Sequence, residues 1–207
     1  MRAGRVRGPG RASLALALAV LIALVAACTS SRGPEVVAGV EEGPPAPLVV
    51  IGGTEADGDG LRDSLRDLWA RQVFDELPPS TVYVNLATPR ATAADALRTQ
   101  VPEATMLEPT TALVWLPSGD TGRRTPVEQY RTDLTAVVEA LGSTVEVVLL
   151  TEWEDPGAAP SDEYAAVVAE VASSAGASRV DITDVDASSS DAQEQVAERV
   201  LEALDAG

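Results

Sequence analysis

Between Pro47 and Leu204, short apolar runs alternate with segments of helical periodicity five times. Leu48–Ile51 is β-branched and ends at Gly52-Gly53, and Leu61, Leu65, Leu68 and Val73 then recur at helical spacing. Thr81–Ala87 predicts a second strand, and Thr92–Val101 a short helix stopped before Pro102. Ala112–Leu116 is the third strand. Thr125-Pro126-Val127-Glu128 then combines an N-cap Thr, a Pro at the first helical position and a capping-box Glu. That helix runs to Leu141, where Gly142 ends it. Thr144–Leu150 is apolar almost throughout, as expected of a strand covered on both faces. Ser161 opens a helix that Gly176 closes, Arg179–Ile182 is a weak fifth strand, and Ser190-Asp191-Ala192-Gln193 opens the last helix. Five β–α units predict a three-layer α/β/α sandwich around a five-stranded parallel sheet.

The chain before Pro47 has a different pattern. Arg2, Arg5, Arg7 and Arg11 precede fourteen unbroken apolar residues, Leu14–Ala27, and then Cys28. As a helix that run would reach about 21 Å, short of the roughly 30 Å hydrocarbon core. Its length fits the apolar region of a signal peptide. Val25-Ala26-Ala27-Cys28 resembles the bacterial lipobox, whose small residues admit the peptidase and whose thiol accepts the lipid. The expectation is therefore a signal peptide over 1–27, and a lipidated Cys28 with a Gly/Pro/Ser/Glu-rich tether over 28–46. The α/β domain would occupy 47–207, anchored to the cell membrane on its extracytoplasmic face.

Composition narrows the chemistry. All fifteen basic residues are arginine, no histidine is present, and Cys28 is the single cysteine. A chain without histidine has no imidazole base, no Ser-His-Asp triad and no His-ligated zinc. One cysteine forbids an internal disulfide. Loss of residues 1–27 leaves eleven arginines against 32 acidic residues, a net charge of −21. Such a chain is repelled by nucleic acid and by anionic headgroups, so its lipid would be its only hold on the membrane. A monomer is expected, with a small-molecule or cell-envelope ligand and no cofactor.

In a parallel sheet of this kind the functional crevice lies beyond the carboxyl ends of the strands. Those ends carry Gly52-Gly53-Thr54, Thr88-Pro89-Arg90, Pro117-Ser118-Gly119-Asp120, Glu152-Trp153-Glu154-Asp155 and Asp184-Val185-Asp186. The layout resembles the SGNH (GDSL-type) hydrolases, esterases and lipases on a flavodoxin-like sandwich. The resemblance implies the strand order 2-1-3-4-5. It sets Thr54 against the nucleophilic serine of Gly-Asp-Ser, and Arg90 against the glycine whose amide serves the oxyanion hole. It sets Gly119 and Asp120 against the Asn-Asp of the third motif, and Asp186 and Ser189 against the Asp and His of the last.

The departures bear on catalysis. A Thr hydroxyl is a poor nucleophile unless a base takes its proton, and only a carboxylate could do so in this chain. Each lost oxyanion donor would remove about 2.7–4 kcal/mol of transition-state stabilisation. The expectation is a non-catalytic ligand- or partner-binding module. The alternative is an acyl hydrolase in which Thr54 acts with Asp120 or Asp186. Trp153, Arg123 and Arg124 are the ligand-binding candidates. The acidic strand-end loops fit no metal motif closely: Asp184-Val185-Asp186 begins like a calcium loop but lacks its sixth-position Gly and terminal Glu. Trp115, within a strand, is expected in the core.

Overall fold

The computed structural model describes residues 45–151, 162–186 and 191–205, all within the compact unit Glu42–Gly207. The basic and apolar amino terminus, Cys28 and most of the tether lie outside the described residues. So do Trp153 with its neighbouring acids, Ser161, Ser189 and Ser190.

The strands are β1 Ala46–Gly52, β2 Thr81–Asn85, β3 Thr111–Trp115, β4 Glu146–Leu150 and β5 Ser178–Val180. They form one parallel sheet in the order β2-β1-β3-β4-β5, as expected. The helices are α1 Thr54–Asp57, α2 Ser64–Asp67, α3 Trp69–Glu76, α4 Ala93–Met106, α5 Pro117–Arg123, α6 Val127–Leu141, α7 Asp162–Ala175 and α8 Ala192–Asp205.

Alternate residues of each central strand enter opposite cores. Val49, Ile51, Val114 and Leu149 pack with α4, α6 and α7 on one face. Leu48, Val50, Leu113, Trp115 and Leu150 pack with α3 and α8 on the other. Each buried Val, Leu or Ile contributes roughly 1.5–3 kcal/mol, so both faces must be covered for the sheet to hold. Trp115 is fully buried and meets Trp69 edge-on, with ring centroids 5.6 Å apart.

Three local expectations are corrected. The single helix expected across Leu61–Val73 is broken into pieces: it starts only at Ser64, and Leu68 takes extended backbone, φ −68° and ψ 132°, between α2 and α3. Leu65 consequently points to solvent, 84% exposed, while Leu68 and Val73 are buried. Helix α4 does not stop before Pro102 but runs on to Met106. Proline costs about 3 kcal/mol in a helix interior, and burial of Val101 and Ala104 on either side of it offsets that cost. At the start of α6, Pro126 is the N-cap and no side chain caps it. Thr125 is instead held by tertiary contacts. Its N–H donates to the Asp120 carbonyl at 2.9 Å, and its own carbonyl accepts from Tyr164 Oη at 2.5 Å. Among the described residues no helix is long and apolar enough to cross a membrane.

Candidate functional site

The strand order reverses at β1, so the loops after β1 and β3 part at the carboxyl edge of the sheet. A cleft of about 490 Å³ opens there, lined by Thr54, Glu55, Pro89, Arg90, Ser118, Gly119, Gly122 and Arg123.

Its floor is set by β1 turning into α1. Gly52 leaves no room for a side chain: a Cβ would lie 2.4 Å from Ala56 Cβ and 2.7 Å from the Trp115 carbonyl oxygen. The buried Gln100 amide clasps the Gly52 backbone from both sides. Its Oε1 accepts the Gly52 N–H at 2.8 Å, and its Nε2 donates to the Gly52 carbonyl at 3.1 Å. A four-residue helix cannot satisfy its own carbonyls. Trp69 Nε1 donates to the Glu55 carbonyl at 3.1 Å and Asn85 Nδ2 to the Ala56 carbonyl at 2.8 Å. Thr54 therefore stands on a fixed turn.

Its hydroxyl faces the β2 loop. Arg90 N–H donates to Thr54 Oγ1 at 3.0 Å, and this is the hydroxyl's one hydrogen bond among the described residues. Arg90 achieves it in the left-handed region, with φ of 60°, where glycine is the easier residue. The backbone donor expected to suffer from a non-glycine residue is thus present and aimed at Thr54. Arg123 pins this loop from behind: its Nη2 donates to the Arg90 carbonyl at 3.2 Å and pairs with Asp95 Oδ2 at 3.1 Å. Burial raises the Asp95 pKa, but hydrogen bonds from Thr92 and Arg98 and the charge of Arg123 outweigh it and hold the group below its ordinary value.

Asp120 is not placed to deprotonate Thr54. It is fully buried, and its Oδ2 accepts the Ala93 N–H at 2.8 Å, capping the start of α4. Burial pushes its pKa up, only partly opposed by the Ala93 and Thr125 bonds. Gly119 explains the missing Asn: a Cβ there would sit 1.9 Å from the Ala91 carbonyl oxygen. The space where the side-chain donor would begin is filled by backbone.

Four lining residues, Glu55, Pro89, Ser118 and Gly122, were not among the site candidates, and two of them bond across the cleft. The Ser118 hydroxyl donates to Glu55 Oε2, joining the β1 and β3 loops across the cleft. Their sequence signal was adjacency alone: Glu55 follows Thr54 and Ser118 precedes Gly119. Gln100 and Asp95 were missed because their work is tertiary. Asp186 is described and exposed, but it does not line the cleft. Arg124 ends α5 in a left-handed conformation, φ 54°, beside the lining residue Arg123. Ser189 and Trp153 lie outside the described residues. Among the described residues no three Asp, Glu, Cys or His side chains converge as metal ligands would.

The GDSL-like lipase/acylhydrolase family matches the sequence over residues 38–199. The chain belongs to this family. Solved structures similar to it include a lipase/acylhydrolase from Enterococcus faecalis, 21% identical over 76% of this chain and 94% of that one, with a TM-score of 0.65. A psychrotrophic esterase from Pseudoalteromonas sp. is 18% identical over 77% and 97% of the two chains, TM-score 0.62. An acetylxylan esterase from Geobacillus stearothermophilus is 16% identical over 78% and 95%, TM-score 0.64. At these identities the likeness establishes the fold. None of the curated proteins is similar enough in sequence to count as a match. Within this GDSL-family fold, Thr54 and the Arg90 amide face each other at the strand ends, and among the described residues no carboxylate hydrogen-bonds to the Thr54 hydroxyl.

Proposed function

We propose that this GDSL-family chain is a non-hydrolytic binding module, held at the extracytoplasmic face of the cell membrane by lipid on Cys28. The observation that carries this reading is the state of the Thr54 hydroxyl. It accepts a hydrogen bond from the Arg90 amide, and among the described residues no carboxylate reaches it. A hydroxyl attacks an ester at neutral pH only when a base near the operating pH removes its proton. The chain has no histidine or lysine to do so. The alternative hydrolase would need Asp120 or Asp186 in that role. Asp120 is committed to Ala93, and Asp186 does not line the cleft.

With its oxygen already accepting from Arg90, Thr54 has its proton free to donate into the cleft. Arg90 and Arg123 add guanidinium donors around the same space. The cleft is thereby a binding surface of fixed donors.

The test is hydrolysis of short-chain p-nitrophenyl esters by the mature chain, residues 28–207. The expected rate equals that of Thr54→Ala, whereas Thr54-dependent turnover would restore the hydrolase reading. The anchor is tested separately by Cys28→Ala, expected to move the protein out of the membrane fraction. Retention of that variant at the wild-type level would refute lipid anchoring.

A further inference from the structure

The mature chain is strongly acidic, yet four of its eleven arginines lie at or next to this cleft. Arg90 and Arg123 line it, Arg124 follows Arg123, and Arg98 stands behind on Asp95. The two carboxylates among them are already engaged. Asp95 is bound by Thr92, Arg98 and Arg123, and Glu55 accepts the Ser118 hydroxyl. Arg90 and Arg124 have no carboxylate partner among the described residues. Their cationic charge is left facing outward.

The backbone supplies a second, independent observation. Only three non-glycine residues among those described take a positive φ, and two of them are Arg90 and Arg124. Glycine adopts this conformation at no steric cost, so a long charged side chain at both positions is unfavourable for folding alone. Strain of this kind gathers where a side chain is needed for binding. The Thr54 hydroxyl, free to donate, faces the same space.

We propose that the mouth of the cleft is an oxyanion site that takes the carboxylate or phosphate group of a small ligand. Arg123, fixed by Asp95 and the Arg90 carbonyl, presents its remaining guanidinium edge to the anion. Arg90 closes over it from its left-handed turn, Arg124 adds charge from the turn beside Arg123, and Thr54 supplies a neutral donor. Guanidinium groups suit this task because their forked N–H donors match both kinds of oxyanion. The inference rests on the binding reading of the cleft and names the chemistry of its ligand.

The test uses the full lipidated chain in a non-ionic detergent, followed by thermal denaturation. Inorganic phosphate and succinate are titrated separately against chloride at matched ionic strength. A saturable rise in Tm with either anion supports the site, and the more effective anion identifies the preferred group. The absence of any rise beyond chloride overturns it. Arg90→Gly and Arg124→Gly keep the backbone in a conformation glycine favours, so both variants should fold with Tm equal to or above wild type. Each should bind the effective anion about tenfold more weakly. Unchanged affinity in both variants would also overturn the proposal. Ester turnover in the same preparation would instead sink the non-hydrolytic reading and leave the anion titration intact, so the two failures are distinguishable.

Discussion

The loops after β1 and β2 and the loop after β5 carry what the family resemblance marks as two parts of a hydrolytic site, and this chain treats them differently. At β1 and β2 the turn that holds the hydroxyl is built in detail: Gly52 under the Gln100 amide, Thr54 at the start of α1, and the Arg90 N–H on its hydroxyl. After β5, Asp181 and Asp184 serve local structure. Asp181 accepts from the Thr183 N–H and hydroxyl at 3.1 and 2.7 Å, and Asp184 pairs with both Nη atoms of Arg199 at 2.5 and 3.0 Å. These bonds from Thr183 and Arg199 hold both groups below the ordinary carboxylate range. A lowered pKa makes a carboxylate a weaker proton acceptor, the reverse of what general-base catalysis requires. On the proposed binding reading, a fold keeps the geometry that positions a hydroxyl without the group that activates it.

The comparison can be broken most forcefully at Gly119. If that position had simply lost an oxyanion donor, Gly119→Asn would return one. The Ala91 carbonyl stands 1.9 Å from where its Cβ would be. The expected outcome is destabilisation by about 3 kcal/mol, as for other overpacked sites. Chemical denaturation reads this directly. A variant of wild-type stability would mean that the Ala91–Thr92 backbone yields, and that the donor was lost for another reason.

A smaller effect concerns Asp120. Its folded-state pKa is raised by burial, so the folded state binds its proton more tightly than the unfolded chain does. The stability this contributes is complete at pH below the unfolded carboxylate value and is lost as pH rises through the folded value. Asp120→Asn cannot ionise. Its stability relative to wild type should therefore rise as pH is taken from about 4 to about 7. Urea denaturation across that range measures it, and a constant difference would show that Asp120 is not desolvated by its position under the loop.

Much of the fold was legible because its cores are two-sided. Val147–Leu150 can be apolar without interruption only where helices cover both faces, and the pattern of strand and helix followed from that. Local signals misled in both directions. Leu68, in extended backbone, broke a helix that the leucine spacing had suggested, whereas Pro102 did not stop one, because the burial around it outweighed its cost. The site was legible where it depended on position along a strand. Thr54 and Arg90, both named from their places at strand ends, are joined by a hydrogen bond. It was not legible where it depended on burial: nothing adjacent to Asp120 in sequence reveals that its carboxylate caps α4, and Gln100 lies 48 residues from the backbone it holds.

The central claim is that Thr54 is held but not activated. Reaction of the mature chain with an alkyl fluorophosphonate, followed by intact-mass measurement and peptide mapping, tests it most directly. Such reagents phosphonylate hydroxyls that a neighbouring base makes nucleophilic. The account predicts no adduct on Thr54 at neutral pH after prolonged exposure, with the same mass spectrum for Thr54→Ala. A stoichiometric adduct on Thr54, absent from that variant, would contradict it.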